Sequence, residues 1–274
     1  PSGVHNRLVG SSCGADRDLS RRVPGPMALI LRADSIGKSY GDRRVLTAAT
    51  LRASAGDIVC LIGSNGCGKS TLLRIASGDL AADQGTVFFN GVAYLRPKWC
   101  VLATRGLFYL PDRELFAPHR TPREHFAMIR RQFPGSSTDD AISILGLEAL
   151  LDRRCGSLST GELRRAEIAA AMIRAPLCLL ADEPLRHIDP KDRALIGGAL
   201  RILAGRGCAV VITGHDVEDL FDLAAQIVWC TDGTTYQLGS PAEAAEHWHF
   251  GATYLGAARA ARLTDRTGQA SIAT

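Results

Sequence analysis

Ile58-Val-Cys-Leu-Ile62-Gly63-Ser64-Asn65-Gly66-Cys67-Gly68-Lys69-Ser70-Thr71 reads as an apolar strand, a glycine-rich bend and the start of a helical pattern, in that order. The bend satisfies G-x-x-x-x-G-K-[ST], and strand before and helix after are the context that gives this motif its meaning. Glycines let backbone N–H groups turn inward around phosphate oxygens, and a helix beginning near Lys69 adds the positive end of its dipole. Lys69 is suited to neutralise β and γ phosphates, and Ser70 to offer its hydroxyl to Mg²⁺. The chain uses Arg 28 times and Lys only 4 times, yet has Lys here, where a compact ammonium is needed. Residues Gly63 to Thr71 are therefore expected to hold the phosphates of a nucleotide, with Cys67 as a small loop filler.

A second element, Leu177-Cys-Leu-Leu-Ala-Asp182-Glu183-Pro184, is an apolar strand ending in two carboxylates. That is a poor place for charge unless something cationic lies there. Mg²⁺ beside the phosphate loop supplies it: Asp182 would hold the ion through its water shell, and Glu183 would polarise an attacking water as general base. Taken alone, such a pair reads equally well as a solvated strand end; the phosphate loop upstream decides between the two.

Phosphate loop and acidic strand fit kinases, GTPases, helicases and transport ATPases alike, so the discriminating element lies elsewhere, at Leu158-Ser159-Thr160-Gly161-Glu162. Ser159 and the Gly161 backbone stand at a helix N-terminus, ready for an anion. Ser159 with Glu162 is also a capping box, and both readings hold together. The helix that follows carries Leu163, Ala166, Ala170 and Ile173 on one face, suited to packing on a core.

With this stretch the chain resembles the ATP-binding cassette family, whose signature L-S-G-G-Q stands just before the acidic strand. The resemblance covers about 27–256. It implies an α/β fold: a P-loop NTPase (RecA-like) core with a mixed or parallel sheet, an antiparallel β subdomain and an α-helical subdomain at about 112–163. It implies a Mg²⁺-dependent ATPase that works as a homodimer or with a paired cassette subunit. Ser159, Thr160, Gly161 and Glu162 of one subunit would then close over the ATP held by the other. By the same resemblance Tyr40 stacks on adenine, His215 contacts the γ-phosphate and orients the attacking group, and Asp189 helps join the two active sites. The implied partners are integral membrane transporter subunits, with the chain peripheral on the cytoplasmic face of the membrane.

The chain departs from that pattern at named positions. Phe108-Tyr-Leu-Pro-Asp112 ends in Asp where the family has Gln, and a carboxylate is expected to keep the metal role. Thr160 replaces a Gly and Glu162 a Gln, while Arg186-His187 replaces small residues ahead of Asp189. Gly161-Glu-Leu-Arg-Arg-Ala-Glu-Ile-Ala, the 112–116 segment Asp-Arg-Glu-Leu-Phe and Thr253-Tyr-Leu-Gly256 resemble ATPases of branched-chain amino-acid import and lipopolysaccharide export, without choosing between them.

Rival classes fare worse. A chromosome-maintenance ATPase needs hundreds of coiled-coil residues between phosphate loop and signature, whereas Lys69 and Ser159 are only 90 apart. A GTPase would carry N-K-x-D, which is absent, and a non-catalytic sensor would lack Glu183. A soluble, non-transport cassette ATPase acting as an ATP-gated dimer stays open.

Composition agrees with one large α/β unit: 274 residues, 46% hydrophobic, with a net charge of +4 and no dense basic run of the kind nucleic acid requires. Eight Cys form no C-x-x-C pair and read as reduced thiols. No apolar stretch approaches the roughly 20 residues that cross a bilayer. Residues 1–26 are expected to be a disordered extension before a natural start at Met27, and 257–274 a flexible tail. Strands are expected at 29–33, 45–52, 57–63, 86–90, 177–181, 209–213, 226–230 and 234–238. Helices are expected at 121–133, 138–151, 161–175, 192–203 and 216–223. His247-Trp-His249 has too few ligands for a metal and reads as a surface turn.

Overall fold

A computed structural model describes residues 28–133 and 138–256. The expectations for 1–27 and 257–274 therefore lie outside the described residues. Two sheets form. The smaller, in the order β2-β1-β4-β5, is antiparallel and joins β1 (Leu29–Tyr40), β2 (Arg43–Ser54), β4 (Gln84–Phe89) and β5 (Val92–Tyr94). The larger, in the order β10-β9-β3-β8-β7-β6, contains β3 (Ile58–Ile62), β6 (Leu107–Leu110), β7 (Cys178–Ala181), β8 (Ala209–Gly214), β9 (Gln226–Thr231) and β10 (Thr234–Gly239). Its pairings are parallel except for the β9–β10 hairpin. The mixed main sheet and separate antiparallel sheet are those expected from the sequence.

Period-two alternation splits each central strand between two cores. Ile58, Cys60 and Ile62 of β3, Leu179 and Ala181 of β7, and Val210 and Ile212 of β8 face a layer of helices. Val59, Leu61, Cys178, Leu180, Ala209 and Val211 face the antiparallel sheet and α1 (Lys69–Ala76). Every residue of β3 is buried, as befits a parallel strand covered on both faces. The helical layer includes α5 (Thr160–Arg174), α6 (Pro190–Gly205) and α7 (Val217–Leu223). The sheets are also stitched at their edge: Thr47 N donates to Gly233 O at 2.7 Å, Thr50 N to Thr235 Oγ1 at 2.7 Å, and Thr235 Oγ1 to Thr50 O at 2.7 Å.

Local departures have local causes. β1 and β2 run to Tyr40 and from Arg43, well beyond the apolar runs, because their outer faces are exposed and tolerate polar residues. The expected helix over 138–151 is α4 (Asp139–Ile144) followed by a 3₁₀ turn at Glu148–Leu150. Gly146 breaks it, with φ +57° and with Leu147 N donating to Ile142 O at 3.0 Å in a left-handed helix end. Arg165 Nη1 then donates to the freed carbonyls of Leu145 and Gly146 at 2.6 and 2.9 Å. α2 (Trp99–Thr104) and α8 (Pro241–Glu246) were not foreseen. α3 (Pro122–Gln132) starts where expected, on a Thr121–Glu124 capping box. His247 caps α9 (Trp248–Phe250) and His249 lies within it: His247 Nδ1 accepts from Phe250 N, and His249 packs edge-on to Trp229 with centroids 5.1 Å apart.

The carboxyl ends of β3, β6, β7 and β8 lie side by side, through the pairs Ile62 with Gly214, Ala181 with Ile212, and Leu110 with Ala181. In open α/β sheets ligands bind at that edge.

Candidate active site

β3 delivers the chain into Gly63, where no side chain fits: a Cβ would collide with Cys230 O and lie 2.7 Å from Cys67 Sγ. Gly68 holds φ +112° as the N-cap of α1, and a Cβ there would lie 2.5 Å from Leu46 Cδ2. Gly66, at φ +81°, turns the loop between them. Ser64, Asn65 and Ser70 are exposed and Thr71 half-buried. Buried Lys69 arches back over the loop, its Nζ donating to Gly63 O at 2.7 Å and Ser64 O at 3.0 Å. Arg43, unremarked in the sequence, brings Nη2 within 3.9 Å of where a Gly66 Cβ would stand, a second cation at this bend.

Two strands over from β3, Asp182 follows β7 and is buried, its amide donating to Leu110 O at 2.8 Å. Thr213 Oγ1 donates to Asp182 Oδ1 at 2.6 Å and accepts from Glu183 N at 2.8 Å, so one hydroxyl fixes both acidic residues. Burial pushes the Asp182 carboxyl above the usual carboxylate range; hydrogen bonds from Thr213 and Ser70 oppose this, while the charges of Asp112 and Glu183 add to it. Ser70 is thus a hydrogen-bond partner of Asp182, and Asp112 stands near enough for its charge to act on it. All three offer hard oxygen donors, and no group of three or more His, Cys, Asp or Glu could hold a metal among the described residues. That donor set suits Mg²⁺, which takes one or two carboxylates and completes its shell with phosphate oxygens and water.

Glu183 adopts φ +48°, which places its carboxylate beside the end of β8. Glu183 Oε2 lies 3.3 Å from His215 Nδ1 and 3.6 Å from Arg186 Nε, is hidden from solvent and has no hydrogen-bond partner. A shielded carboxylate oxygen beside an exposed imidazole is placed to take up a proton. Tyr40 ends β1, 47% exposed as a residue, with Lys38 Nζ 5.8 Å from its ring centroid.

The signature segment forms a separate feature. Ser159 caps α5, its hydroxyl accepting from Glu162 N at 3.2 Å while Glu162 Oε2 accepts from Ser159 N at 2.8 Å. Thr160 opens the helix. Gly161 has no side chain because Asp192 Oδ2 fills that space. Asp192 in turn pairs with Arg165 at 2.8 Å, and its amide donates to Asp189 Oδ1 at 2.9 Å, so Asp189 caps α6.

Two residues that sequence reasoning passed over tie this helix to Asp112. Buried Arg164 donates to Pro111 O at 3.0 Å and Asp112 O at 3.1 Å and pairs with Glu167 at 3.1 Å. Glu167 Oε1 accepts from Leu115 N at 2.5 Å and Phe116 N at 3.4 Å. Burial raises the Glu167 carboxyl, against the lowering charge of Arg164. Arg and Glu three apart on a helix otherwise rich in Ala and Ile were the available signal, since charges buried there require partners.

The sequence profile of a family described as "ABC transporter" matches residues 46–186, just over half the chain. A Nod factor export ATP-binding protein I of Rhizobium etli is 33% identical, over 75% of this chain and 66% of its own length. The lipopolysaccharide export system ATP-binding protein LptB of Acidithiobacillus ferridurans is 31% identical, over 84% of this chain and 98% of its own. The spermidine/putrescine import ATP-binding protein PotA of Spiroplasma citri is 32% identical over 78% of this chain, which spans 62% of it. Among solved structures, a nucleotide-free ATP-binding cassette from an ABC transporter superposes with TM-score 0.70 at 24% identity, covering 78% of this chain and 93% of that one. A dimeric cassette in a post-hydrolysis state with ADP and Pi gives 0.68 at 21%, covering 76% and 99%.

Proposed function

This chain belongs to the ABC transporter family, as one of its ATP-binding, ATP-hydrolysing cassettes, and on that premise we propose that it powers substrate movement through separate membrane subunits. The supporting observation is the convergence of Lys69, Ser70, Asp112, Asp182, Glu183 and His215 at the carboxyl ends of four adjacent parallel strands.

In this reading the amides of Gly63–Gly68 and the Lys69 ammonium receive the β and γ phosphates, and Tyr40 stacks on the base. Ser70, Asp182 and Asp112 would hold Mg²⁺, which when bound neutralises the charge that develops on the phosphates. Thr213 fixes Asp182 and Glu183 relative to one another. Glu183 Oε2 then takes the proton of a water attacking in line, and His215 holds the γ-phosphate against it. A second copy, or a paired cassette, closes the site with Ser159, Thr160, Gly161 and Glu162, and Asp189 lies at that junction. Loss of the γ-phosphate removes the charge that joined the two halves, which then part. The Arg164–Glu167 tether carries that motion from α5 to the Asp112 loop and onward through 112–135, where membrane subunits dock.

No described helix is long and apolar enough to cross a membrane. Attachment to the cytoplasmic face is therefore proposed to run through those subunits, which also set cargo and direction: the relatives include export and import proteins. The test is affinity capture of Glu183→Gln from native membranes in MgATP. Co-purified integral membrane subunits are expected. A soluble dimer alone would favour the non-transport cassette reading.

A further inference from the structure

The phosphate loop lies against β9, and at their contact the fold sets two cysteines face to face. Cys67 is half-buried in the loop, while Cys230, 163 residues away in β9, is fully buried. Cys230 Sγ donates to Cys67 O at 3.3 Å, which sets its sulfur against the loop residue that carries the other thiol. The bare Cα of Gly63 makes the approach possible, since a side chain there would collide with Cys230 O and press on Cys67 Sγ.

The two sulfurs are unequal. The hydrogen bond with Cys230 lowers the Cys67 thiol to about 7 against the effect of burial, helped by the charge and backbone of Lys69. The same bond, with burial, raises Cys230. An accessible thiolate beside a buried partner thiol is the arrangement of an attacking and a resolving cysteine. Cys178 and Cys208 are also neighbours, but both are buried and burial raises both thiols.

We propose that Cys67 and Cys230 form a reversible disulfide under hydroperoxides, and that this bond closes the phosphate loop to nucleotide. The Cys67 thiolate attacks one peroxide oxygen; the O–O bond breaks, water leaves once protonated, and Cys67 is a sulfenic acid. The Cys230 thiol then attacks that sulfur, the S–S bond forms and a second water leaves. Two thiols have lost two electrons, and hydrogen peroxide has become two waters; a dithiol reverses the change. An S–S bond of about 2 Å ties the loop to β9, and its amides are pinned. This consequence, unlike the disulfide itself, rests on the loop being the nucleotide site.

The experiment is peroxide titration of the purified full chain, followed by thiol blocking, non-reducing digestion with mass spectrometry, and MgATP binding on the same samples. A peptide linking Cys67 to Cys230 is expected, with MgATP affinity reduced by about tenfold or more, both reversed by dithiothreitol. Cys230→Ala should bind MgATP normally when reduced and then lose Cys67 irreversibly to sulfinic acid. Wild-type Cys67 passing to sulfinic acid, or linking to another cysteine, would overturn the disulfide, and that result needs no variant to fold. A linked peptide with unchanged MgATP affinity overturns the closing of the loop. If reduced wild type does not bind MgATP at all, the nucleotide reading fails while the linked peptide still decides the disulfide.

Discussion

Thr213 Oγ1 sits 2.6 Å from Asp182 Oδ1, and this one hydroxyl holds both the Asp182 carboxylate and the Glu183 backbone at the end of β7, because its other side accepts from the Glu183 amide. Thr213 is buried, so water cannot replace it there. Thr213→Val should cost about 1–3 kcal/mol of stability and lower ATPase turnover, and Thr213→Ser should restore both. Urea unfolding and steady-state ATPase assays on the two variants check this; equal behaviour of Val and Ser would contradict it.

In the proposed mechanism Glu183 takes the proton of the attacking water and His215 holds the γ-phosphate, so either loss should reduce turnover more than nucleotide affinity. Glu183→Gln is expected to lower kcat by about 10²- to 10⁴-fold with ATP affinity within a few-fold of wild type. His215→Ala should fall in the same direction. Single-turnover hydrolysis with separate equilibrium binding distinguishes this from a general loss of folding.

The Arg164–Glu167 pair is buried and each member also holds backbone groups of the Asp112 loop. Arg164→Met or Glu167→Met should each destabilise by about 3–5 kcal/mol, because each strands the other charge. The double variant should lose less than the sum of the two. A double-mutant cycle by urea denaturation gives the coupling, and strict additivity would show that the two do not work as a unit.

His125 stacks on Phe116 at 4.1 Å, and its Nε2 accepts from Ala117 N at 3.1 Å. Burial holds its imidazole down to about 4. The unfolded chain binds a proton near pH 6.5 and the folded chain only near 4, so stability is full above about 6.5 and declines as pH falls through that window. His125→Gln keeps an acceptor and does not titrate. Its melting temperature should therefore fall less than that of wild type between pH 7 and pH 5, measured by calorimetry.

Much of this was legible in the sequence because the informative features are local. The run from Ile58 to Thr71 declares strand, loop and helix within fourteen residues, and Ser159 with Glu162 announces a helix start that the structure contains. Apolar runs likewise located β7, β8 and β9. What stayed hidden depends on distant partners. Arg164 and Glu167 look like surface charges until the Asp112 loop is laid on them, and Cys67 and Cys230 meet only through sheet order. The tip of the β1–β2 hairpin, around 39–44, is exposed and mostly polar, so no apolar alternation marks it. Gly146 was visible, but its neighbours continue a helical period, and only the end geometry with Arg165 shows that the helix stops there.

The stitching of the two sheets constrains how the protein can be made. Thr235 caps both backbone groups of Thr50, a residue 185 positions earlier, so during synthesis the smaller sheet waits with an unsatisfied edge until those intervening residues have left the ribosome. Pairings of such sequence separation are slow to form and leave strand edges open meanwhile. Truncation ahead of Thr234, which removes none of the residues proposed to bind phosphate, should therefore leave nascent chains that need chaperones and aggregate without them.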